Sequence, residues 1–131
     1  MASIGNIVNK KFKMKPKKFS ISKISRQLKN AWTPINVAKV DNFLLKIAKF
    51  EGSYYWHQHE NNDELFIVFK GKIKIKTGSG SVVVNEGEGV KIPKGVGHCP
   101  VEIEPSIVLV FENSELDNRK NKNSAKLYKH P

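Results

Sequence analysis

A chain of 131 residues suits one domain with one core. Its single cysteine, Cys99, excludes both an intramolecular disulfide and a thiolate zinc cluster, which fits a cytoplasmic protein. The sequence shows no secretory signal, and no run approaches the roughly 18–20 apolar residues of a membrane span, so no membrane role is expected. The net charge of +11 is uneven, with +10 in residues 1–40, −2 in 41–113 and +3 in 114–131. Basicity therefore belongs to the two ends, and any nucleic-acid reading attaches to them rather than to the middle.

Residues 1–18 hold six lysines between Lys10 and Lys18 and few apolar side chains, so they read as a flexible basic arm. The domain is expected over 19–113. Ser20 or Ser22 is placed to cap a short helix reaching Lys29, with Ile21, Ile24 and Leu28 on one face. Trp32-Thr33-Pro34 ends it, because the residue before a proline avoids helical angles.

From Asp41 the pattern becomes one of short β-rich runs between turn residues, and strands are predicted at 42–50, 53–59, 64–70, 72–77, 81–85, 89–92, 98–102 and 106–112. Eight such strands argue for an all-β sandwich or barrel. Lys72, Lys74 and Lys76 alternate with Ile73 and Ile75, the pattern of a strand with one wet and one buried face. Residues 114–131 form a polar, basic tail.

His57 and His59 stand two apart on a predicted strand, so both imidazoles project from one face toward the same point. Glu64 follows a polar turn, Glu60-Asn61-Asn62-Asp63, that reverses the chain, and His98 follows the rigid turn Pro93-Lys94-Gly95-Val96-Gly97. A His-x-His pair on a strand also occurs without a metal, and the spacing of the glycines is what changes the reading. Gly52, four residues, His57-x-His59, four residues, Glu64, six residues, Gly71 is followed by Gly87, five residues, Pro93-x-Gly95, two residues, His98.

In both motifs, in order, the chain resembles the cupin superfamily over about residues 32–113. Two departures are a spacer one residue short after Gly52 and Glu102 where asparagine is common. The resemblance implies a double-stranded β-helix, or jelly-roll barrel, over 41–113 and a metal held by His57, His59, Glu64 and His98. Within the superfamily, Trp56-His57-Gln58-His59, Asp63-Glu64-Leu65-Phe66 and Pro93 to His98 are similar to small single-domain cupins described as mannose-6-phosphate isomerase-like, a label of fold kinship rather than activity. Three histidines and one glutamate suit Fe, Mn, Zn, Ni or Co and do not select among them.

Tyr55 shares strand parity with the two histidines and is a candidate proton donor, or else a core aromatic with its tip at the barrel mouth. Phe66 and Val68 share parity with Glu64 and predict an apolar pocket wall, while Trp56 is expected to face away. Parity also makes Glu102 and Glu112 acid/base candidates and turns Cys99 away from the metal as a buried, inert thiol. Leu65, Ile67 and Phe69, extended by Val108 and Val110, predict an outer apolar patch that a homodimer would cover. The expected function is a metal-dependent oxygenase or isomerase acting on a small polar metabolite. The other reading is a non-catalytic small-ligand-binding or sensor protein whose basic arms contact nucleic acid or another anionic partner.

Overall fold

The computed structural model describes residues 14–114 and the backbone of 126–127. Most of the two basic ends, to which the arm and nucleic-acid readings belong, lies outside these residues. No described helix is long and apolar enough to cross a membrane.

Helix α1 spans Ile21–Ser25 and is capped by Ser20, whose hydroxyl accepts from the Lys23 amide. It is shorter than the expected run to Lys29, since a helix of one or two turns persists only where tertiary packing holds it. It packs against the strand Phe43–Phe50. The strands are β1 (Ile35–Val40), β2 (Phe43–Phe50), β3 (His57–Gln58), β4 (Glu64–Thr77), β5 (Gly80–Asn85), β6 (Gly89–Ile92), β7 (His98–Asn113) and β8 (Lys126–Leu127).

Two differences from the predicted elements decide the architecture. The pairs 64–70 with 72–77, and 98–102 with 106–112, are each one long strand, β4 and β7, lying antiparallel along their whole length. Their register slips between Val68 and Ile73, so each strand bends and serves two faces. The first half of β4 and the last half of β7 join β1, β2 and β6. The remaining halves join β3, β5 and β8. Two facing antiparallel layers sharing two bent strands make the double-stranded β-helix. Strand β1 escapes the sequence pattern because its side chains are half-buried or exposed and show no apolar alternation.

The bend requires Gly71. Its φ is +96°, and a Cβ there would collide with Ser106 Oγ and the carbonyl of Pro105. Ser106 is buried and closes the crossing, accepting from the Lys72 amide at 2.9 Å and donating to the Glu104 carbonyl at 2.7 Å.

Between the layers lie Ala48, Phe50, Phe66, Val68, Ile73, Ile75, Val84, Ile92, Val108 and Val110. Val108 and Val110 thus belong to the core rather than to the outer patch: in the pairing they face Val68 and Phe66, which point inward. The outer surface is continued instead by Leu109 and Phe111, opposite Ile67 and Leu65. Ile73 and Ile75 are fully buried between half-buried lysines, as the alternation predicts.

Candidate metal centre

One end of the barrel is polar where the other is filled. Two inward rows of the first layer supply it: Glu64 lies opposite Glu112, and Phe66 opposite Val110, which in turn faces Lys46 of β2. Lys46 and Glu112 are diagonal neighbours on one face, close enough for a long side chain to bridge. Their charged groups meet at 2.8 Å, each with only 7% of its side chain exposed.

The second layer supplies the imidazoles. His57 and His98 are directly paired across β3 and β7, with ring centroids 4.3 Å apart. His59 lies just past the end of β3, where its carbonyl accepts the Gly95 amide at 2.7 Å. The Lys94 amide donates to Asp63 at 2.9 Å, so the turn before His98 is tied to the turn before Glu64. The two motifs are thereby locked together at the polar end.

All four predicted ligands are buried. Ligand atoms of His57, Glu64 and His98 lie within 4.8 Å of one another, and so do those of His59, Glu64 and Glu112. Glu64 is common to both sets, with Oε1 at 3.3 Å from His98 Nε2 and Oε2 at 3.6 Å from His59 Nε2. His57 Nδ1 donates to the Tyr55 carbonyl and His98 Nδ1 to the Val96 carbonyl, both at 2.9 Å. A carbonyl only accepts, so the ring proton is fixed on Nδ1 and the Nε2 lone pair is left for a cation.

The electrostatics fit the same occupant. Burial, and then the neighbouring His98, push His57 down to about 4, and burial also lowers His98, so both rings are neutral ligands at pH 7. Glu64 moves the opposite way, raised well above the usual carboxylate range by burial and by the hydrogen bond and charge of Glu112. A buried carboxyl drawn toward its acid form by burial and by Glu112, only partly offset by Lys46, stands beside the neutral rings of His57 and His98, and this is a donor set suited to a divalent transition metal.

A cavity of about 250 Å³ opens over these groups, lined by His57, His59, Glu64, Lys46 and Glu112 on its polar side. Its walls are Trp32, Phe50, Tyr54, Phe66, Val110 and neighbouring small residues. Trp32 packs on Phe50 and Tyr54, with centroids at 4.3 and 4.9 Å. It adopts φ +61°, unusual for a bulky residue, and is held there by its amide on the Lys49 carbonyl and its indole N–H on the Glu51 carbonyl.

Tyr55 requires a correction. It is 67% exposed and does not line the cavity, whereas Tyr54 does. The expected strand 53–59 is regular only at His57–Gln58, preceded by an isolated bridge at Ser53, so counting alternate residues back from His57 fails. Tyr54 is fixed by its amide on the Pro100 carbonyl and by the buried Cys99 thiol, which donates to the Tyr54 carbonyl at 3.3 Å. Val68 is core below the cavity, and Glu102 is absent from its lining, unlike Glu112. The residue missed altogether is Lys46. Its signal was a charge in parity with Leu44, Ala48 and Phe50, all three buried.

Comparison with known proteins places the fold in a family. The chain is 30% identical over 95 residues, 72% of its length and 84% of the other's, to the uncharacterized protein YdbB of Bacillus subtilis (strain 168). It superposes with TM-score 0.71 and 29% identity on a cupin-2 domain containing protein from Shewanella frigidimarina NCIMB 400, covering 72% of this chain and 93% of that one. A fold likeness at 16% identity and TM-score 0.62, covering 72% and 71% of the two chains, links it to hydroquinone 1,2-dioxygenase PnpCD, solved with Cd2+ and 4-hydroxybenzonitrile. The profile of the Cupin domain family matches residues 43–111, more than half of the sequence, and the chain belongs to that family.

Proposed function

We propose that the protein is a metal-dependent enzyme of the cytoplasm, an oxygenase or isomerase, that activates a small oxygen-bearing metabolite on an ion held by His57, His59, Glu64 and His98. The observation that carries this reading is the position of the donor set: His57, His59 and Glu64 form the wall of a cavity large enough for a small molecule, while His98 backs them fully buried. A metal there would act as a Lewis acid on a substrate oxygen or as a site for dioxygen. An ion held by three imidazoles and one carboxylate would keep room for a substrate oxygen, and the cavity is the side from which a substrate would enter. Trp32, Phe50 and Phe66 would hold a flat apolar body against the ion and keep water out. The fold likeness to a dioxygenase supports the class of chemistry without naming the substrate.

The test is anaerobic reconstitution with Fe(II), followed by oxygen uptake and product analysis against diols, diketones, phenols and sugars. Turnover of one class, lost in His98→Ala, is the expected result; no turnover or isomerisation of any class by fully loaded protein would contradict an enzymatic role. We also propose that a second copy covers the outer face bearing Leu65, Ile67, Leu109 and Phe111, where Ile67 is 37% exposed and Phe43, stacked on Phe111, is 45% exposed. Sedimentation at tens of micromolar should give a dimer, and a monomer would refute it.

A further inference from the structure

The Lys46–Glu112 pair has no counterpart in the four-ligand set, yet it sits in the same cavity wall. Its charge consequence is simple. The pair sums to zero, so it adds no net charge to the metal site, although Glu112 also hydrogen-bonds Glu64. A divalent ion on Glu64 and three neutral imidazoles keeps one uncompensated positive charge in a largely apolar cavity. Buried charge without a partner is costly, and the interaction of two charges across a few ångströms is strong in such surroundings.

Glu112 itself could supply the missing negative charge. Its carboxylate lies within 4.8 Å of the ligand atoms of His59 and Glu64. What stands against this is Lys46, whose ammonium holds Glu112 Oε1 at 2.8 Å in a setting where both are buried. Lys46 therefore reserves the remaining charge of the metal centre for whatever enters the cavity.

Resting on the metal-site reading above, we propose that Lys46 is a specificity-determining residue that makes the cavity select singly charged organic anions, such as carboxylates, enolates or phenolates, over neutral molecules of the same shape. The aromatic wall of Trp32, Phe50 and Phe66 favours a planar body behind the anionic oxygen. Lys46 need not touch the ligand to act, because it operates by neutralising Glu112.

The probes are benzoate, benzamide and phthalate, one ring carrying one, no and two negative charges, titrated into Zn(II)-loaded protein with intrinsic tryptophan fluorescence and calorimetry as readouts. Metal content is measured first in every sample. Wild type should bind benzoate at least about tenfold more tightly than benzamide or phthalate. Lys46→Met frees Glu112 to compensate the ion, so its preference for benzoate should fall by about tenfold or more while zinc is retained. Lys46→Met/Glu112→Gln removes both charges, restores the original balance and should recover the preference. It also guards against a single variant that fails to fold. Equal binding of benzoate and benzamide, no binding of either, or an unchanged preference in Lys46→Met would overturn the proposal while zinc stays bound. Absence of zinc from wild type would instead overturn the metal-site reading beneath it.

Discussion

His57 gives up its proton on folding, and this sets a pH dependence whose sign can be worked out. In the unfolded chain its ring titrates near 6.5, whereas in the folded protein it is not protonated until about 4. Between these values the unfolded state binds the extra proton, so metal-free protein loses stability as pH falls from about 6.5 toward 4, by at most about 3 kcal/mol from this residue. His98 acts in the same direction. Glu64 acts oppositely: its raised pKa favours the folded state below its unfolded value, and that contribution is lost as pH rises through the folded value. Urea midpoints of chelator-treated protein across this range, beside His57→Asn, should show the acid-side slope flattened in the variant. An equal slope in both would show that the imidazole does not enter its site neutral.

The same carboxyl predicts how a metal binds. An ion that takes Glu64 as a ligand must displace any proton it holds, so affinity should climb with pH and binding should release protons. Calorimetry with Zn(II) in two buffers of different ionisation enthalpy measures the number directly. No proton release at any pH across the range would contradict the upward shift of the Glu64 carboxyl.

At the scale of elements, the fold depends on two long strands that bend together, and Gly71 marks the bend in β4. Gly71→Ala should cost about 3 kcal/mol or more, since the new methyl meets both Ser106 and the Pro105 carbonyl at an unfavourable φ. Gly87→Ala is the matched control: it has a similar positive φ but open space, and should cost only about 1 kcal/mol. Thermal or urea unfolding separates the two. Equal costs would mean that the close crossing at Ser106 is unimportant. These elements also show what was legible in the sequence. Alternation located β4, β5 and β6, whose Ile73, Ile75, Val84 and Ile92 face one core, but set Val108 and Val110 of β7 on the outer face. It could not show that β4 and β7 run on through Gly71 and Pro105, because a bend and a turn carry the same residue signals. Where pairing becomes irregular, between Ser53 and Trp56, counting by twos misplaced Tyr55 and overlooked Tyr54.

At the scale of the molecule, the barrel brings together residues from five separated stretches of chain: Trp32, Lys46, the 54–66 segment, His98 and Glu112. Motif spacing singled out the four candidate ligands, which the fold buries at one end of the barrel, because glycine and proline fix the turns on either side of them. The Lys46–Glu112 pair carries no such punctuation; it emerges only when β2 and β7 are in register. The account stands on the metal. Protein purified without an affinity tag under non-chelating conditions, and analysed for bound transition metals beside His59→Ala, tests it most directly. Close to one ion per wild-type chain, with a marked loss in the variant, is the result the geometry predicts; metal absent from wild type, even after exposure to Zn(II), Mn(II) or anaerobic Fe(II), would contradict it.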